Sequence, residues 1–220
     1  MIERGDLVAV HEPFSDVIGL GETDVDGRPF HSTASLLAWL VHETRGVTVF
    51  LKDTPNDRHH EVLADRRFLA EARHAFLIRR PEEIAASFHA VEPRMRIDSI
   101  GLETLHRLYT AVRDAGGHPP IVIDSDDLVV RPAATIAAYC AAVGLPYIPD
   151  ALTWEPGDRP EWRRSARWHV DVAASAGFEQ RARTYEQSVE TSRELARFAA
   201  HHAPFYERLR ENWLSVPVTR

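Results

Sequence analysis

The stretch Phe76-Leu77-Ile78-Arg79-Arg80-Pro81-Glu82-Glu83-Ile84-Ala85-Ala86-Ser87 decides the fold. With Ala75 it opens on a short apolar run that reads as a buried strand. The run stops at two arginines. Pro81 then suits the first turn of a helix, because its missing N–H is one that a helix start leaves unbonded anyway. Glu82 and Glu83 favour the same end through the helix dipole. Strand, basic turn and helix N-terminus thus follow one another within about a dozen residues.

The pattern recurs on both sides. Leu7–Val10, Val47–Leu51 and Ile121–Ile123 are further short apolar runs, read as buried strands. Ser32 or Thr33 can cap a helix running to about Glu43, which Gly46 stops. His60–Arg73 is helical in pattern with a break near Asp65, and Gly101–Ala115 is an amphipathic helix stopped by Gly116-Gly117. Pro132 opens a helix through Val143 that Gly144 caps, and a last helix runs from about Ser192 to Asn212. Gly19–Pro29 and Trp154–Pro160 read as loops, and Pro13 as the end of the first strand. Strands alternating with helices predict one α/β domain over residues 1–220: three layers, a mostly parallel sheet with helices on both faces. Ligands of such sheets bind at the carboxyl ends of the strands. Those ends carry His11-Glu12, Lys52-Asp53-Thr54, Arg79-Arg80 and Asp124-Ser125.

Composition narrows the partners. The net charge of −7 lacks the basic excess that a nucleic-acid binder needs, although a local arginine pocket for a small anion fits within it. Cys140 is the only cysteine, so no intrachain disulfide forms, which suits a reducing cytoplasm. No apolar run is long enough to cross a membrane, and the charged Met1–Val10 segment is unlike a secretory signal. The adjacent pairs His59-His60 and His201-His202 point to different helix faces, and no His, Cys and carboxylate set has metal-ligand spacing. Oligomeric state is not written in the sequence.

The chemistry of Arg79-Arg80-Pro81…Ser87 is that of an anion site. A guanidinium offers a planar fork of donors, and a helix N-terminus adds free N–H groups. Composition alone favours the plainer reading, two solvated arginines at a strand end and a small residue on a packed helix. The stretch resembles the 3′-phosphate-binding segment of sulfotransferases that use 3′-phosphoadenosine 5′-phosphosulfate (PAPS): an apolar strand, Arg-x-Pro, and a Ser eight residues after the Arg. Ile121–Leu128, Arg131-Pro132 and Ala141-Ala142-Val143-Gly144-Leu145 are similar to a second stretch of that family, in the right order. The resemblance spans about Leu7 to Phe178 and looks closest to a bacterial subgroup with a His-Glu-Pro-Phe element.

The resemblance implies a P-loop-like sulfotransferase topology and transfer of a sulfuryl group from PAPS to a hydroxyl or amine of a small molecule, without a metal. It places Arg79 and Ser87 on the 3′-phosphate and Lys52 beside the transferring group. The family's usual histidine, two residues after that lysine, is Thr54 here. Glu12 or His11 then serves as base, with Glu12 preferred. Trp162–His169, with Arg163 and Arg164, stands where the family closes a basic segment over the nucleotide. Phe14, Phe30 and Trp39 are candidates for the acceptor pocket. A Pro-x-Ser-Gly-Thr-type loop, which holds the 5′-phosphosulfate in the family, is not found. Met1–Asp6 reads as a helix tail, so the first strand and loop are expected to be missing and the transfer activity of these 220 residues poor. A non-catalytic nucleotide-binding or interaction remnant is the alternative. A related kinase ranks last, because it needs a Gly-Lys-Ser/Thr loop and a Mg²⁺ site.

Overall fold

A computed structural model describes residues 1–44, 46–98, 101–179 and 184–216. After a 3₁₀ turn at Ile2–Arg4 come β1 (Val8–His11), α1 (Pro13–Leu20), β2 (Thr23–Val25), β3 (Arg28–Phe30) and α2 (Thr33–His42). Then follow β4 (Val49–Lys52), α3 (His60–Ala64), α4 (Arg66–Glu71), β5 (Ala75–Ile78) and α5 (Pro81–Val91). The rest is α6 (Leu102–Ala115), β6 (Ile121–Asp124), α7 (Ser125–Val130), α8 (Pro132–Val143), α9 (Val170–Ala173) and α10 (Arg193–Arg210). Two further 3₁₀ segments cover Pro149–Leu152 and Pro160–Trp168.

The strands expected from the apolar runs form, and they pair in parallel. β1 lies on β4 with His11 opposite Lys52, and β5 lies on β6 with Ile78 opposite Asp124. Among the described residues the two pairs are not hydrogen-bonded to each other, so the sheet is interrupted between them. Their side chains nevertheless share two faces. Val8, Val10 and Leu51 pack with Phe76, Ile78 and Val122 in the main core, beneath α1, α2, α4, α6 and α10. Phe50 packs with Ile121 and Ile123 on the opposite face, against Tyr139 and Cys140 of α8. Alternation along each strand separates the two sets. Leu77, on the second face, is 57% exposed, because α8 covers β6 and leaves β5 open there.

Two segments differ from the sequence-based expectation. Pro13 does not merely end β1; it occupies the first turn of α1. Within Gly19–Pro29, β2 and β3 form a hairpin across Asp26-Gly27, whose φ angles of 54° and 78° are those a tight hairpin turn requires. Asp24 accepts the Gly27 N–H at 2.8 Å and closes it. Helix His60–Arg73 does break at Asp65, whose carboxylate caps α4 through the N–H groups of Arg67 and Phe68.

Gly117 has a steric task. A Cβ there would lie 1.8 Å from the carbonyl oxygen of Ala70, so the turn after α6 runs against the end of α4 with no room for a side chain. Gly117→Ala should destabilise the protein by about 2 kcal/mol or more, read as a lower urea midpoint. An unchanged midpoint would contradict this contact.

Three histidines are held in the core region. Burial lowers the imidazole pKa of His74, His202 and His106 below 6.5, with Arg208 adding to the effect at His106. The unfolded chain therefore binds more protons than the folded one between that value and the lower folded values. Stability is expected to fall as pH drops from about 7 toward 5, and His202→Gln should flatten the slope. A urea midpoint that is level or rises over that range would refute the assignment.

Candidate functional site at the strand ends

The carboxyl ends of β1 and β4 meet because these strands pair in register. Glu12 follows β1 in the left-handed conformation, φ 50° and ψ 43°, at a cost of roughly 1–2 kcal/mol for a residue with a side chain. Its N–H donates to the Lys52 carbonyl at 2.6 Å, and its carbonyl accepts the Asp16 N–H at 2.9 Å, which starts α1. The turn directs the Glu12 carboxylate over β4. There it forms an ion pair with Lys52 and accepts the Thr54 hydroxyl at 2.8 Å. Burial pushes the Glu12 pKa up, but Lys52 and Thr54 outweigh it and hold the carboxyl below the ordinary range. Both proposed catalytic side chains, Glu12 and Lys52, therefore stand in one contact.

Asp53 fixes this arrangement from below. Its carboxylate accepts the backbone N–H of Phe14 at 2.8 Å and of Ser15 at 3.2 Å, and the Ser15 hydroxyl at 2.5 Å. It thus caps α1 from a different strand. His59, 3% exposed, places Nε2 at 3.4 Å from it and receives the Asn56 N–H on Nδ1. Burial raises the Asp53 pKa, and the bonds from His59 and Ser15 more than reverse that.

The 3₁₀ segment Pro160–Trp168 crosses the same strand ends. Ser165 Oγ lies 3.1 Å from His11 Nε2 and 3.1 Å from His169 Nε2. The two imidazoles meet edge to face at 5.0 Å, and Trp162 stacks on His169 at 5.1 Å. Burial and the charge of Lys52 lower the His11 pKa; burial and His11 lower that of His169. Arg164 pairs with Asp16 at 3.1 Å and Arg159 with Glu3 at 2.5 Å. Farther along, Trp168 stacks on Phe88 of α5 at 4.9 Å, and Arg167 reaches Glu92 at 3.5 Å. The segment therefore bridges β1 and α5. Arg163 is exposed and makes no ion pair or hydrogen bond among the described residues.

At β5 the two arginines turn back onto α5. Arg79 Nε meets Glu83 at 2.9 Å; Arg80 pairs with Glu83 and, at 3.2 Å, with Asp126. Ser87 is half-buried two turns into α5, one residue before Phe88, and bonds to none of these arginines. At the end of β6, Asp124 caps α7 and accepts the Tyr206 hydroxyl at 2.8 Å, tying β6 to α10. Phe14 and Phe30 are buried in the main core, and the half-buried Trp39 packs on Phe30. No group of three metal-ligating side chains occurs among the described residues.

Sequence reasoning missed Ser15, Asp53 and His59 as a unit, and Ser165 as the partner of His11. Asp53 follows β4 directly, but its role depends on α1, which no local sequence pattern announces. Ser165 lies 154 positions from His11, and no local pattern joins them.

Two proteins of Arabidopsis thaliana, branched-chain-amino-acid aminotransferase-like proteins 2 and 1, are each 33% identical over 113 residues, half of this chain. The match covers 20% of either relative's own length. A solved sulfotransferase domain from the curacin biosynthetic pathway aligns with 71% of this chain and 62% of its own, at 13% identity and a TM-score of 0.34. Residues 50–211 match the family described as the sulfotransferase domain, and the chain belongs to that family.

Proposed function

We infer that this protein carries out sulfuryl transfer from PAPS to the hydroxyl or amine of a small molecule. The observation that carries this, beyond family membership, is the convergence of Lys52, Glu12 and the basic Pro160–Trp168 segment on the ends of β1 and β4. In such a transfer the acceptor oxygen or nitrogen bonds to sulfur, the bond from sulfur to the bridging phosphate oxygen breaks, and the acceptor loses a proton. Charge accumulates on the sulfuryl oxygens and the leaving phosphate, where a fixed cation has most effect.

Lys52 is that cation in our assignment. Glu12 holds it in place and is the candidate base. Arg79, Ser87 and the N-terminus of α5 take the 3′-phosphate, and Arg163 and Arg164 approach the nucleotide from the crossing segment. The half-exposed Arg79 guanidinium fits this use, since its partner Glu83 can yield to a phosphate. The expected cytoplasmic setting rests on the lone cysteine; no described helix is long and apolar enough to cross a membrane.

The sequence as given contains no Pro-x-Ser-Gly-Thr-type loop, and that favours a second function for these 220 residues: nucleotide binding without transfer. Calorimetric titration with 3′,5′-adenosine bisphosphate tests what both share. Arg79→Ala should weaken binding by about tenfold or more, the loss of a hydrogen bond to a charged group. Glu83→Gln should strengthen it. Equal affinity for wild type and Arg79→Ala would end the Arg79 assignment.

Transfer separates the two functions. Lys52→Ala should lower turnover by about a hundredfold while leaving bisphosphate binding intact. With Glu12 as base, activity needs the carboxylate ionised, so the rate should fall only below the ordinary carboxyl value of 4.5. A rate already falling above 4.5 but below the ordinary imidazole value of 6.5 would remove Glu12 from that role in favour of His11, whose pKa burial and Lys52 lower.

A further inference from the structure

Ser165 carries a hydroxyl to the end of β1 from a distant part of the chain, and its bonds there are complete. Its oxygen stands 3.1 Å from Nε2 of His11 and 3.1 Å from Nε2 of His169. Its proton goes to the Trp162 carbonyl at 3.3 Å. A hydroxyl has one donor and two acceptor sites. With the donor used inside the segment, both imidazoles must donate, so each neutral ring carries its proton on Nε2 and leaves Nδ1 bare. A further proton on either ring goes to Nδ1. The bonds to Ser165 survive, and what changes is charge. The two rings, one on β1 and one at the end of the crossing segment, meet at 5.0 Å. Around His11 stand Lys52 and Asp53 from the end of β4, Glu12 beside it, and Asp16 of α1, which is paired with Arg164. Around His169 stand His11, Lys52 and Glu12, and Trp162 stacks on its ring. Arg159 and Arg167 are paired with Glu3 and Glu92, and Glu161, Arg163 and Asp171 are exposed. The carboxylates and the Trp162 face favour a charged ring. Burial opposes it at both rings, with Lys52 next at His11 and His11 next at His169, and these prevail: both rings titrate below the ordinary imidazole value of 6.5 while the segment is in place.

We propose that Ser165, His11 and His169 form a pH-operated latch, which holds the Pro160–Trp168 segment on the ends of β1 and β4 at neutral pH and releases it in mild acid. Once released, the imidazoles are hydrated and bind protons at the ordinary value. Opening therefore takes up protons, and acid drives it. The closed segment is favoured above 6.5 and loses ground as pH falls from there toward the lower closed values. Two histidines on one hydroxyl make the response steep. Each contributes a factor of up to about ten between pH 7.5 and 5.5, and the two together about a hundred. Trp168 on Phe88 is an uncharged contact that keeps the far end of the segment on α5, so the His11 end is the one that lifts. The latch governs access to the strand ends whatever reaction they carry, and it stands or falls separately from the transferase assignment.

Amide hydrogen exchange of the whole chain, followed by mass spectrometry at pH 7.5 and 5.5 and corrected for the intrinsic rate at each pH, reads the opening. Protection of the amides in 161–169 is expected to fall between about tenfold and a hundredfold at the lower pH. It should fall by more than the protection of Phe76 and Val122, which report global unfolding. In the double variant His11→Gln, His169→Gln the side-chain amides still donate to Ser165 but do not titrate, and the excess should vanish. Either single variant should keep about half of it on a logarithmic scale, which serves where the double variant fails to fold. Ser165→Ala removes the shared oxygen and should lower the same protection about fivefold already at pH 7.5, the worth of one neutral hydrogen bond. A segment whose protection falls no more than that of the β5–β6 core would overturn the latch, as would an excess that persists at full size in the double variant or in both single ones. Sulfuryl transfer does not enter the readout, so failure here leaves the transferase assignment untouched.

Discussion

One carboxylate organises the strand ends. Asp53 accepts two backbone N–H groups and a hydroxyl from the first turn of α1, although it belongs to the neighbouring strand end. Parallel pairing alone sets the register of β1 on β4. It does not determine where the chain goes after His11. The cap does: α1 must begin directly over β4, and the only residue between strand and helix, Glu12, is forced into a left-handed turn. A cap of this kind is worth about 1–2 kcal/mol, comparable with the strain at Glu12. The two nearly offset, and the net result is geometric. Glu12 meets Lys52 across the strand ends, and His11 is left facing the segment that carries Ser165.

The apolar runs were enough to find β1, β4, β5 and β6, because a strand buried in a parallel sheet is apolar at nearly every position. Glycine and proline placed most helix boundaries for equally local reasons. The first forty residues were less legible. Pro13 reads as the end of a strand, yet the same fixed φ that ends a strand also starts a helix, and only the external cap at Asp53 decides between them. The hairpin had a signal in Asp26-Gly27, but its strands span three residues each, too short for alternation to show. For the site, the arginines and lysine at strand ends could be named from sequence, since the sheet topology puts them there. Glu83, four residues after Arg79, is a local partner of the kind a helix pattern offers; Asp16 and Ser165 could not be named, because they act through packing of elements far apart in the chain.

Those partners bear on how an anion could enter. With a net charge of −7, the chain gives four cations at the strand ends a carboxylate partner: Lys52 with Glu12, Arg79 with Glu83, Arg80 with Glu83 and Asp126, Arg164 with Asp16. These pairs are partly solvated. Arg79 and Glu83 each remain about one-third exposed, so their attraction is screened and contributes about 0–1 kcal/mol. A phosphate carries more charge than a carboxylate and fits the guanidinium fork, so exchange at Arg79 favours the ligand. The released Glu83 would stay hydrated near the start of α5, where the helix dipole suits a negative charge. Lys52 differs, because Glu12 is more buried and also bound by Thr54. Separating that pair strands a carboxylate with less access to water, and the cost rises accordingly. Exchange is therefore easier at the arginine end than at the lysine end, and an incoming nucleotide would engage Arg79 before it draws Lys52 away from Glu12.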